Sequence, residues 1–222
     1  MEKMTRKKLV LVSALLLMTW LTCTANASTF DFSFVGPGVS GTVQLTYGTS
    51  TDLYYPNAYE VTGISGTFSD SNNGLNIVNA PILSLVPINY ATPEPGNLLA
   101  PHDFSKFDVA NGLEHGSLSF DNLYWPDGSP QTASDYPLYG GFLDIYGLLF
   151  DIGNGMVVNV WSNGTPDGSG DGPIYGVAVA TSETALDYVD SGVSIVPEPG
   201  TLLMLGSGVV GLAGILRRKI KL

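Results

Sequence analysis

Through the middle of the chain, apolar and polar residues alternate in short runs. In TFDFSFVG, Phe30, Phe32 and Phe34 fall on one face, and in GTVQLTYG so do Val43, Leu45 and Tyr47. Successive side chains of a strand point to opposite faces, so a period of two is that of a half-buried strand. AYEVTGISGTFSD, HGSLSFDNLYW, GGFLDIYGLLFDIG, GMVVNVWSNG and PIYGVAVATS continue the pattern, separated by SNNG, PDGSP and DGSGDG. Pro, Asn, Asp and Gly in those gaps are turn formers. No heptad and no long 3.6-residue period interrupts the series. Short strands about every ten residues predict an all-β body, an antiparallel β-sandwich of jelly-roll-like or Ig-like form.

Both ends break this pattern. The chain starts with a basic head of Lys3, Arg6, Lys7 and Lys8, runs through an apolar stretch from Leu9 to Leu21, and reaches Ala25-Asn26-Ala27. That order is a secretory signal peptide, residues 1–27, cut after Ala27. Cys23 follows Thr22, where a lipoprotein signal would carry Gly, Ala or Ser. At the other end, residues 201–216 (TLLMLGSGVVGLAGIL) are uncharged and form about 24 Å of helix at about 1.5 Å per residue. This is a little short for a span, and Arg217 and Arg218 can snorkel to lengthen it. Arg217, Arg218, Lys219 and Lys221 then hold the tail on the cytoplasmic side of a single transmembrane helix.

Charge narrows the partners. Between Ser28 and Gly200 stand 19 acidic side chains and one cationic one, Lys106, a formal charge of −18. Such a surface repels phosphate backbones and anionic lipid, which argues against nucleic acid. Cleavage after Ala27 also removes Cys23, the chain's one cysteine, so the mature body holds no disulfide.

The C-terminal features resemble a known signal. Pro197-Glu198-Pro199, an apolar glycine-containing span and a short basic end, behind an N-terminal signal peptide, resemble the PEP-CTERM sorting signal of Gram-negative bacteria, whose tail is also described as an ice-binding protein C-terminal region. The resemblance covers about residues 195–222 and implies an exosortase-type membrane enzyme as partner, with Pro197, Glu198 and Pro199 as the sorting motif and Arg217, Arg218 and Lys219 as the stop. It further implies export through an inner-membrane intermediate to the cell surface or beyond, in association with exopolysaccharide and biofilm. A second Pro-Glu-Pro at residues 93–95 runs into His102, Asp103 and Lys106, which exclude a span. Ile220 and Leu222 among the tail's basic residues depart from the pattern. The stretch DNLYWPDGSP, then LDIYGLLFDIGNGMVVNVWSNG, then YGVAVA is similar to the body of many small PEP-CTERM proteins, which implies a fold and no activity.

Chemistry is sparse between the signals. No G-x-S-x-G surrounds a serine, and the glycine runs lack the lysine of a phosphate loop. A zinc site would need His102 and His115 with Asp103 or Glu114, without the usual ligand spacing. Asp121, Asp144 and Asp151 are the carboxylate candidates for a secreted polysaccharide hydrolase. Asp167 and Asp171, in a glycine-rich loop, are the candidates for calcium, which takes several oxygen ligands. Tyr54, Tyr55, Tyr59, Tyr90, Tyr124, Trp125, Tyr136, Tyr139 and Trp161 fall near turns or strand ends, where rings stack on sugars or pack the core. No T-x-T ladder for ice is visible.

The expectation is a non-enzymatic exported protein in three parts: signal peptide 1–27, β-sandwich body 28–195 and sorting signal 196–222. Its alternatives are a secreted hydrolase and a permanently anchored carbohydrate-binding module.

Overall fold

The computed structural model describes residues 27–88, 98–102, 118–134, 138–166 and 172–198. Residues 1–26 of the expected signal peptide and the whole of the apolar span lie outside them, and no helix among the described residues is long and apolar enough to cross a membrane. Ten strands are present: β1 (Ser28–Val35), β2 (Val39–Thr51), β3 (Tyr59–Asp70), β4 (Ile77–Pro81), β5 (Ser84–Leu85), β6 (Leu123–Tyr124), β7 (Leu148–Gly153), β8 (Met156–Gly164), β9 (Ile174–Ala180) and β10 (Ala185–Pro197).

The expected pair of stacked sheets is instead one curled antiparallel sheet, in the order β4-β3-β2-β1-β10-β9-β8-β7-β5, with β6 paired to β3. The reason lies in β10, which serves both halves. Its first part pairs with β9 (Tyr188 opposite Ala178) and its last residues with β1 (Pro197 opposite Phe32). Between them the register shifts from Val189 to Val193, and Gly192 takes φ +80°. An irregularity of this kind bends a strand, and here it turns one half of the sheet toward the other.

Residues 77–86 draw the far edges together. β4 pairs with β3 and β5 with β7, while between them Ile82 N donates to Gly66 O and Leu83 N to Asp151 O, at 3.0 and 2.9 Å. The sheet thus becomes a half-barrel whose concave face holds Phe32, Phe34, Val43, Leu45, Phe68, Phe150, Val158, Val160, Val177 and Val179. These are the inward positions of the alternating runs, removed from water as a single core.

A second core covers the convex face of β7–β9. Leu118, Phe120 and Ile145 pack there against Leu149, Val157, Trp161, Ala178 and Ala180. Two runs expected as strands supply this cover. Among the described residues, HGSLSFDNLYW contributes only the two-residue β6, and GGFLDIYGLLFDIG becomes a strand only from Leu148. Their polar residues satisfy turns rather than a ladder.

Candidate functional site

The covering layer is held by a lock between the DNL and DIYG stretches. Asp121 N and Asn122 N both donate to Gly147 O, at 3.2 and 3.0 Å. Asn122 takes φ +54°, a region that Asn tolerates better than most residues, and its side chain reaches two further segments. Its Nδ2 donates to Val86 O and its Oδ1 accepts from Leu149 N, both at 2.9 Å. Asp144 Oδ1 closes the other turn, accepting from Tyr146 N at 2.9 Å and Gly147 N at 3.0 Å. Gly147 itself has φ +69°, and a Cβ there would stand 2.1 Å from Val160 O.

The lock buries two acids. Asp121 is 2% exposed and Asp144 1%, and the two carboxyls lie within hydrogen-bond reach of each other. Burial pushes Asp121 up to about 7, and burial together with the Asp121 charge pushes Asp144 well above the carboxylate range. Each keeps one buried oxygen, Oδ2, without a hydrogen-bond partner, and a proton held between them would satisfy both. His102 Nε2 sits 3.7 Å from Asp121 Oδ2, and its ring lies 4.8 Å from that of Tyr146. Burial lowers the His102 pKa, against the opposing pull of the Asp144 and Asp52 charges.

Asp121 and His102 face a cavity of about 620 Å³, with Asp52, Tyr54, Tyr55 and Glu60 on its other walls. Carboxyls in contact do not have the spacing of a glycosidase pair, roughly 5–5.5 Å for retention or about 6.5–9.5 Å for inversion. The third candidate, Asp151, stands apart on β7, where its Oδ1 accepts from Gly153 N. Of the zinc candidates only His102 is described, and no three metal-ligating side chains converge among the described residues. Asp167 and Asp171, the calcium candidates, lie outside the described residues, as do Asp103, Glu114 and His115.

The aromatics divide between the two roles the sequence left open. Tyr124, Trp125 and Trp161 are core residues, Tyr55 and Tyr59 are half-buried, and Tyr54 and Tyr139 are exposed. Tyr90 and Tyr136 lie outside the described residues. An aromatic groove of about 700 Å³ instead runs beside β1 and β10, lined by Phe30, Tyr124, Trp125, Phe142, Tyr175 and Pro197. The rings pack at tilted angles: Phe30 lies 4.7 Å from Tyr124 and 5.0 Å from Phe142, and Phe142 lies 5.1 Å from Tyr175. Burial, with Tyr47 and Asp127 nearby, raises Tyr124 to about 12, so its hydroxyl stays protonated. Phe30, Phe142 and Tyr175 escaped the sequence reading because each sits inside an alternating run that reads as core.

The sorting segment starts within the fold. Pro197 is the last residue of β10, and Glu198 N donates to Asp31 O at 2.8 Å. Pro199, Arg217, Arg218 and Lys219 lie outside the described residues. No curated protein and no solved structure matches the chain. A family model described as the PEP-CTERM protein-sorting motif matches residues 196–219. The chain therefore carries a PEP-CTERM sorting motif, the mark of an exported protein that an exosortase-type membrane enzyme processes from a membrane-anchored intermediate.

Proposed function

We propose that the protein is a non-catalytic component of the cell surface or extracellular matrix, associated with exopolysaccharide or biofilm. The single observation that carries this reading is the sorting motif at 196–219, joined directly to the last strand of the body. Residues 1–27 direct export, residues 201–216 hold the intermediate in the membrane, and the enzyme acts around Pro197, Glu198 and Pro199. The groove beside β1 and β10 is the surface that meets glycan, through its half-buried rings Phe30 and Phe142, since rings stack on the apolar faces of sugars. The charge of the body favours a neutral polysaccharide over a polyanionic one. The reading calls for no cofactor.

Intact mass tests the sorting, on protein from producing cells, from their medium and from a strain without the sorting enzyme. Loss of both ends in the producing strain, with the tail kept in the other, is the expected result. A mass that includes residues 201–222 in both strains means a permanent anchor. Glu198→Ala is expected to block processing and to leave folding intact. Co-sedimentation of the full chain with the host's purified polysaccharide tests the groove, and release of reducing ends in that mixture would mark a hydrolase instead.

A further inference from the structure

Very little chain separates the folded body from the apolar span. β10 ends at Pro197, and the uncharged stretch begins at Thr201. Those four Cα steps reach about 14 Å at full extension. The body therefore sits against the membrane while the span is in place, and one end of the sheet is turned toward it.

Register identifies what lies at that end. Pro197 is level with Phe32 of β1, and Phe32 with Val43 of β2. β2 runs in the same direction as β10 and continues from Val43 to Thr51, about 26 Å at about 3.3 Å per residue. The β2–β3 hairpin thus projects further along the exit direction than the linker can. Its tip carries Leu53 and Tyr54, the most exposed large hydrophobics among the described residues, at 85% and 82%.

The tip is built rather than loose. Asp52 Oδ1 accepts from Tyr54 N and Tyr55 N, both at 2.8 Å, Asp52 N donates to Ala58 O, and Tyr55 packs edge-on against Trp125 at 5.3 Å. An exposed Leu beside an exposed Tyr suits a membrane interface, where tyrosine rings rest among the headgroups.

We propose that the Leu53–Tyr54 tip rests in the headgroup region of the membrane that holds the sorting span, giving the anchored protein a second point of contact. The proposal rests on the anchored intermediate above. The tip's Asp52 and the acidic body fit a zwitterionic surface and are repelled by an anionic one.

The test uses the chain without residues 1–27, reconstituted in phosphatidylcholine vesicles. The mature chain has no cysteine, so L53C and V78C each place one environment-sensitive label. Val78 is also exposed, on β4. Quenching by a lipid-borne quencher near the headgroups is expected to be several-fold stronger for L53C than for V78C. Adding Tyr54→Asp to L53C is expected to bring it down to the V78C level. Equal, weak quenching in protein that floats with the vesicles overturns the docking and leaves the anchor standing. Protein that does not float overturns both.

Discussion

β2 and β8 are both long strands of the same sheet, yet they sit in different surroundings. Along β2 only Val39, Val43 and Leu45 are buried, whereas in β8 every residue from Val157 to Ser162 is. The first half of the sheet has one face in water; the second is covered on both faces. Covering the second face with irregular chain rather than with another sheet has a chemical cost. Irregular backbone needs side-chain partners, and those partners, Asp121, Asn122 and Asp144, are buried with it. The one-sided half is held by apolar burial, and the two-sided half also depends on specific polar contacts.

The largest contrast is expected at glycines. In the covered half, Gly147→Ala combines a left-handed φ with a backbone atom 2.1 Å from the new Cβ. A loss of about 4 kcal/mol is expected, at the severe end for one substitution. Gly155, in the open β7–β8 turn at φ +73°, has nothing within 4 Å of a Cβ. Gly155→Ala is expected to cost about 1 kcal/mol from backbone strain alone. Equal shifts in urea midpoint for the two variants would mean that the Gly147 turn is not packed against β8.

Next in size is Asn122→Ala. It strips Leu149 N of its acceptor and Val86 O of its donor inside a covered region, for about 3 kcal/mol. Loss of amide-exchange protection is expected to centre on Leu149, with β1 and β2 little changed. Uniform loss across the sheet would merge the two halves into one unit.

How far each half could be read from the sequence follows the same division. β1, β2 and β3 announce themselves by alternation, since water on one face forces a period of two. β8 and β9 also read as strands, although burial on both faces blurs their period. Residues 118–125 and 142–147 alternate too, but as a cover lying across strands, which periodicity cannot tell from a strand. β10 is missing from the runs read as strands, and its break is hidden because Gly192 looks like any turn glycine until both neighbours of the strand are known. The sorting motif is linear and was legible. The Asp121–Asp144 contact joins residues more than twenty positions apart, and no local spacing reports it.

Acidity separates the halves more gently. Asp121 near 7 and Asp144 well above its usual range are both held up chiefly by burial, with His102 and Asp52 also nearby. The folded state therefore keeps protons that the unfolded chain releases above about pH 4. Stability from this pair is full below about pH 4 and declines as pH rises through about 7. Asp70, raised to about 6 by burial and by the Asp187 charge, works in the same direction. Asp144→Asn keeps an acceptor for Tyr146 N and Gly147 N and supplies a fixed donor toward Asp121. It is expected to exceed the wild type at pH 8 by on the order of 2 kcal/mol and to converge with it near pH 4. Parallel pH profiles for the two proteins would mean that the carboxyls do not share a proton.

The smallest effect is expected where an amide side chain meets water. Gln44 Nε2 donates to Asp31 Oδ1 at 2.8 Å on the exposed face of β2 and β1. Water can replace either partner there, so Gln44→Thr, which keeps a good strand former, is expected to change stability by less than about 0.5 kcal/mol. Asn159 makes the matching comparison in β8, where Nδ2 donates to Tyr146 O and Leu148 O at 3.2 and 2.9 Å with no solvent to take its place. Asn159→Thr shortens the side chain, and a loss of about 2 kcal/mol is expected. Replacing an amide side chain by threonine in two strands of one sheet thus sets the covered face against the open one. A Gln44 variant as damaging as the Asn159 one would show that the face of β2 drawn as open to water is itself covered.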